Sequence, residues 1–203
     1  MKYPGNIREV AALKPDYMGF IFYQGSKRHF SGNDVSIPES IKKTGVFVNE
    51  TVGNMRATAR AYNLKALQLH GDESPEVCRQ LKEELNMAEV IKAFAVDKHF
   101  DFERLQAYEP FCDYFLFDTK GKERGGNGTR FDWSLLEGYG SDKPFFLSGG
   151  IGMGDIAEVR SFLKSHFGRN CYCIDVNSKF ETEPGSKKVE ELRNFIEILS
   201  KEK

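Results

Sequence analysis

Short apolar runs recur along this chain, each ended by a glycine or polar cluster and followed by a segment of helical periodicity. Strand candidates are Tyr17–Tyr23, Gly45–Val48, Ala66–Leu69, Val90–Ala95, Tyr114–Phe117, Pro144–Ser148 and Cys171–Val176. Helix candidates are Ile7–Lys14, Pro38–Lys42, Val52–Tyr62, Pro75–Leu85, Phe100–Tyr108, Trp133–Leu136, Ile156–Phe167 and Lys188–Leu199. The two kinds of segment have different periods, about 2 and 3.6 residues. Their alternation predicts a parallel sheet with helical crossovers. The strand runs are almost continuously apolar, as required of strands covered on both faces. The pattern opens on a helix, whereas a closed eight-fold barrel opens on a strand. Two architectures fit: an open doubly wound sheet, or a barrel whose first strand is missing. Ser74 ahead of Pro75 is a capping signal, and Asp155 is placed to cap the helix that follows it.

Composition narrows the class. At 203 residues the chain suits one core, and residues 1–203 read as a single domain. It is 40% hydrophobic and 29% charged with a net charge of −1, so it lacks the basic excess of a nucleic-acid binder. No apolar run reaches the length of a membrane span, and Met1-Lys-Tyr-Pro-Gly lacks the apolar centre of a signal peptide. Cytoplasmic residence is the expectation. Cys78, Cys112, Cys171 and Cys173 form no Cys-x-x-Cys pair and have no accompanying histidine cluster. They read as small buried hydrophobes rather than metal ligands, and no metal is expected.

The chemistry-bearing residues fall at the ends of the strand runs. In Tyr114–Asp118 alternate residues share a face. Phe115 and Phe117 should face the helices, and Asp118 should face the axis at the C-terminal mouth, where a carboxyl suits acid–base work. A loop-capping role for Asp118 is equally compatible with the pattern. Gly125-Gly126-Asn127-Gly128-Thr129 is either an anion-cradling backbone or a plain surface loop. Ser148-Gly149-Gly150-Ile151 and Asp175-Val-Asn177-Ser178 follow the last two strand runs. In barrels these loops, with a helix N-terminus, frequently hold a phosphate. His70 ends another run, in Gln68-Leu-His70-Gly71-Asp72. Ser26 and Arg28 lie in the loop after the first run, and an arginine at the rim is suited to fork onto a carboxylate.

Together these residues resemble the phosphoribosylanthranilate isomerase family of tryptophan biosynthesis. The resemblance spans the chain. It rests on Gly19-Phe-Ile-Phe-Tyr23 with Ser26 and Arg28, Gly45-Val-Phe-Val-Asn49-Glu50, Gln68-Leu-His70-Gly71-Asp72-Glu73 and Ile91-Lys-Ala-Phe94. It continues through Asp118-Thr-Lys120, Gly125 to Gly128, Phe131-Asp-Trp133, Ser148 to Ile151, Asp175 to Ser178 and Glu183 to Lys188. It implies a (β/α)8 TIM barrel with strand 1 missing from this chain. It also implies an Amadori rearrangement of N-(5′-phosphoribosyl)anthranilate without a cofactor. An acid protonates the ring oxygen and opens the ribose to a Schiff base, and a base then removes the C2′ proton. By resemblance Asp118 is the acid and Arg28 meets the anthranilate carboxylate. His70 and Asp175 contact substrate at the mouth. Gly126, Gly128, Gly149, Gly150, Asn177 and Ser178 hold the phosphate. The implied partner is this small phosphoribosyl substrate, with no nucleic acid and no membrane, and the protein is a monomer or homodimer.

The sequence departs from the family at one point. The family's base is a cysteine in a segment of the form Lys-apolar-Cys-Gly, and this sequence contains no such segment. Met1-Lys2 matches the last two positions of that motif, so a native start upstream is expected. Cys173 shares a face with Asp175 but sits about 6–7 Å deeper. The absent base leaves an alternative: a non-catalytic or impaired barrel that binds a phosphoribosyl ligand. A histidine-pathway sugar-phosphate isomerase is a distant third reading, because no glycine pair stands near Val48-Asn49-Glu50 to make the internal repeat of that family.

Overall fold

The computed structural model describes residues 1–33, 36–85, 87–119 and 131–200. Seven strands form one sheet: β1 (Tyr17–Ile21), β2 (Lys42–Phe47), β3 (Ala66–Leu69), β4 (Glu89–Val96), β5 (Tyr114–Thr119), β6 (Phe145–Leu147) and β7 (Cys171–Ile174). Every neighbour pair is parallel, and spatial order follows chain order. Helices α1 (Pro4–Ala11), α2 (Val52–Ala61), α3 (Pro75–Glu84), α4 (Ile156–Lys164) and α5 (Val189–Ser200) pack on the outside. Two strands, β8 (Glu181–Glu183) and β9 (Ser186–Lys187), make a small antiparallel hairpin before α5.

Side-chain alternation divides the strands between two cores. Phe115 and Phe117 point outward into the layer shared with Phe94, Phe145, Leu81 and Phe162. Leu116 points inward with Ala66, Ile91, Ala93 and Phe146, filling the barrel interior. Each fully buried phenylalanine contributes about 1.5–3 kcal/mol relative to exposure. An inward Leu116 puts Asp118 inward too, one step higher.

β1 and β7 end the ladder and do not pair with each other among the described residues. Their inner faces border one cavity, which Tyr17, Gly19, Cys171 and Cys173 line. The backbone ahead of α1 is not a strand, and the Met1 nitrogen donates to the Gly19 carbonyl at 2.6 Å.

Three local expectations need correction. Pro38–Lys42 is not a helix: a single turn closes from Ile41 N–H to the Pro38 carbonyl at 3.0 Å, and Lys42 already belongs to β2. Five residues do not repay the cost of helix nucleation. Phe102–Ala107 and Trp133–Gly138 wind as 3₁₀ rather than α-helix, short crossovers that match its habit. Asp155 does not cap α4 from ahead of it, because its carboxylate turns back to accept the Gly152 N–H at 2.8 Å. The Ser74 cap forms as expected, with Oγ accepting from Val77 N–H.

Candidate active site

The residues of the site stand where strands end. Asp118 closes the inward row of β5 and is buried. Its Oδ1 accepts the Thr119 N–H at 2.8 Å, and its Oδ2 lies 3.3 Å from His70 Nε2. His70 follows β3 and is anchored from behind. The ammonium of Lys92 donates to the carbonyls of Leu69, Gly71 and Ala93 and to Glu73 Oε2, at 2.9–3.1 Å. Glu73 in turn accepts the N–H of Asn49 at 2.7 Å and of Gly71 at 2.9 Å. This buried network fixes the turn that carries His70. Within the row, Gln68 Nε2 is 2.8 Å from His70 Nδ1.

Asp175 emerges from β7 opposite. Its Oδ2 accepts the Ser148 hydroxyl at 2.8 Å. Burial pushes its pKa up and the nearby Asp118 charge adds to this, against the pull of Ser148, Lys187 and His70. Gly149 and Gly150 follow β6 with φ of +95° and +66°, a left-handed backbone that favours glycine. A Cβ on Gly149 would collide with Thr119 Oγ1 and meet Asp118 Oδ1 at 3.0 Å, so this loop is pressed against Asp118.

Arg28 is fixed at the rim. Its N–H donates to Ser26 Oγ at 3.1 Å, and its guanidinium rests on Glu181 through Nε at 2.8 Å and Nη2 at 2.7 Å. Lys187 completes the group, donating to Glu181 Oε1 at 2.9 Å and to Asn177 Oδ1 at 2.5 Å. Burial opposes the Glu181 charge, but Arg28 and Lys187 outweigh it and hold its pKa below the usual range. Burial also lowers Lys187, with Glu181 and Asp175 restoring part of the loss.

One cavity of about 570 Å³ connects these groups. Arg28, His70, Asp118, Gly149, Gly150, Asp175, Asn177 and Ser178 all line it, so the structure brings these expected residues together. Gly126 and Gly128 lie outside the described residues. Thr119 Oγ1 accepts the Phe131 N–H at 3.0 Å, which ties together the two ends of the segment that carries them. Glu181, Lys187 and Gln68 were not singled out by sequence. Glu181 falls in none of the quoted motifs, and Lys187 and Gln68 were quoted only as parts of motifs. The thiols are of two kinds. Cys78 and Cys112 are buried, while Cys171 and Cys173 line the seam of the cavity. Burial pushes Cys171 up to about 12 and raises Cys173 as well. Among the described residues no group of three or more His, Cys, Asp or Glu is arranged to hold a metal. No described helix is long and apolar enough to cross a membrane.

A family model described as N-(5'phosphoribosyl)anthranilate (PRA) isomerase matches residues 4–198. The chain belongs to the phosphoribosylanthranilate isomerase family. A relative in Parabacteroides distasonis, named N-(5'-phosphoribosyl)anthranilate isomerase, is 46% identical over 98% of this chain and 90% of its own. The crystal structure of phosphoribosyl anthranilate isomerase from Thermotoga maritima superposes with a TM-score of 0.81 at 33% identity, covering 98% of this chain and 95% of that one. A second family structure, in complex with reduced 1-(o-carboxyphenylamino)-1-deoxyribulose 5-phosphate, has a TM-score of 0.79 at 31% identity, covering 98% of this chain and 95% of that one. These neighbours carry the fold expectation: the seven strands are those of a phosphoribosylanthranilate isomerase TIM barrel.

Proposed function

We propose that this chain isomerises N-(5′-phosphoribosyl)anthranilate to 1-(2-carboxyphenylamino)-1-deoxyribulose 5-phosphate, a step of tryptophan biosynthesis. The observation that supports it best is the placement of Asp118 beside His70 in the same cavity as the Gly149–Gly150 and Asn177–Ser178 loops. The cavity volume is in the range of small-molecule sites.

Each group has a role that its position suits. The phosphate rests on the backbone of Gly149, Gly150, Asn177 and Ser178, and the family resemblance adds Gly126 and Gly128. The anthranilate carboxylate meets the guanidinium of Arg28, which Glu181 keeps oriented. Asp118 gives its proton to the ribose ring oxygen, the C1′–O bond breaks, and a C1′=N Schiff base forms. A base removes the C2′ proton, and the electron pair moves through C1′ to nitrogen, giving the enolamine. Tautomerisation returns a proton to C1′ and leaves a ketone at C2′. Electrons are only relocated within the substrate, so no redox cofactor is required. Asp175 faces the ribose and the bridging amine.

The position of the thiols favours a second reading, a barrel that binds the phosphoribosyl ligand without turning it over. Cys171 and Cys173 are held in their thiol form and lie below Asp175 on β7.

The test is the loss of phosphoribosylanthranilate fluorescence, measured with this chain and with a version carrying Lys-Val-Cys-Gly ahead of Met1. Turnover in either supports the isomerase. Absence of turnover in both, with binding of the reduced product analogue retained, supports the binding barrel.

A further inference from the structure

Gln68 is a half-buried polar residue that lines the cavity. It sits on the inner face of β3 between Ala66 and His70, next to a core of Ile91, Ala93 and Leu116. An amide there is costly unless it is hydrogen-bonded. Its side-chain nitrogen is 2.8 Å from His70 Nδ1. An amide nitrogen only donates, so Nδ1 must present its lone pair, and the ring proton must sit on Nε2. That nitrogen is the one 3.3 Å from Asp118 Oδ2.

We infer that Gln68 is a positioning residue that keeps His70 neutral and in its Nε2–H form, so that Asp118 stays free to act as an acid. The inference rests on Asp118 being the acid of the proposed isomerisation. An imidazolium beside Asp118 would hold that carboxyl ionised, leaving it without a proton to give. To become an imidazolium, His70 must place a proton on Nδ1, where it would confront the amide N–H of Gln68. Protonation therefore costs this hydrogen bond and requires the carboxamide to turn its oxygen toward Nδ1. In the neutral form Nε2–H cannot take the proton of Asp118, but it can donate to the carboxylate left after the transfer. Asp118, at the end of β5, lies 3.3 Å from His70 Nε2, Asp175, just after β7, interacts with the His70 charge and with Lys187 of β9, and the paired Lys92 and Glu73 stand behind the turn that carries the ring. The Asp118 and Asp175 carboxylates favour the imidazolium, and Gln68 opposes them.

The experiment is nitrogen NMR of the imidazole of His70, assigned with a His70→Asn variant, alongside steady-state kinetics from pH 5 to 9. In the wild type His70 should be neutral and protonated at Nε2 through neutral pH. Gln68→Glu substitutes an acceptor, and His70 should then carry both protons over the same range. Its kcat should fall ten-fold or more, toward the about 10²–10⁴ that a positioned acid supplies, with KM changed less. The alkaline limb of its pH profile should move to lower pH. Gln68→Met, which keeps the bulk and loses the donor, should give a mixture of tautomers and an intermediate kcat. A wild-type His70 protonated at Nδ1, or already an imidazolium at pH 7, overturns the inference whatever the activity. So does a normal pH profile in a folded Gln68→Glu protein. Absence of turnover both in this chain and in the version carrying Lys-Val-Cys-Gly, with a His70 that still shows the Nε2–H form and loses it in Gln68→Glu, refutes the isomerase reading and leaves the tautomer control standing.

Discussion

Glu181 takes the guanidinium of Arg28 from one side, with Nε at 2.8 Å and Nη2 at 2.7 Å from the same carboxylate oxygen. Glu181 is nearly inaccessible, and Lys187 holds it from its other oxygen at 2.9 Å. Three charges thus fix one another at the rim. An arginine that is already oriented loses less side-chain entropy when an anion arrives.

Glu181→Gln should therefore raise the KM for substrate several-fold while moving kcat less. It should also cost about 1–3 kcal/mol of stability, because two buried cations lose a charged acceptor. The pH dependence has a definite sign. The folded pKa of Glu181 lies below its ordinary value of 4.5. Its contribution is therefore fully present above about 4.5 and is lost as pH falls through the folded value. Melting curves of wild type and variant should differ at pH 7 and converge in acid.

Gly149→Ala should be damaging for two separable reasons. The residue has φ of +95°, and its new methyl group would press on Thr119 Oγ1 and on Asp118 Oδ1. Strain of this kind costs about 1–3 kcal/mol. Any relaxation displaces the acid, so kcat should fall more than stability alone explains. Gly53→Ala in α2 is the control. A Cβ there meets nothing within 4 Å, and the variant should gain about 0.5–1 kcal/mol.

The parallel alternation was legible because its strands are buried on both faces, and such strands write themselves as apolar runs, whereas the choice of a barrel over an open sheet came only with the family resemblance. Phe115, Phe117 and Asp118 face as the two-residue period requires. The Gly149–Gly150 pair marked a loop for the same conformational reason that it occurs there. The hairpin of β8 and β9 was not legible, since Glu181-Thr-Glu183 offers no apolar alternation. Glu181 is buried against Arg28, more than a hundred positions away. The inward turn of Asp155 toward Gly152 likewise depends on a backbone path that spacing does not give.

Lys92→Met should unfold the support of His70. The ammonium serves three carbonyls and Glu73, and both side chains of that pair are 2% exposed. Removing one partner of a buried pair costs about 3–5 kcal/mol. Glu73→Gln, which keeps an acceptor for Lys92, should cost less. Denaturant melts measure the difference. In whatever fraction remains folded at low temperature, kcat should be reduced, because the Leu69–Glu73 turn no longer holds the ring against Asp118.

Asp175→Asn should make the protein more stable and less active. Burial, with the Asp118 charge beside it, raises the folded pKa of Asp175 above its ordinary value of 3.8. A raised carboxyl means that the folded state holds its proton more tightly than the unfolded chain does. Stability therefore falls as pH rises from about 3.8 through the folded value, and the loss persists at neutral pH. The amide carries no charge and keeps an oxygen to accept the Ser148 hydroxyl. Its Tm should exceed that of wild type at pH 7 by an amount equivalent to about 0.5–2 kcal/mol, and the gain should vanish near pH 3. Turnover should drop at the same time, since the charge that destabilises the fold is the one the proposed function sets against the ribose and its amine. An Asp175→Asn protein that is less stable at pH 7 would place that carboxylate among the groups holding the barrel together.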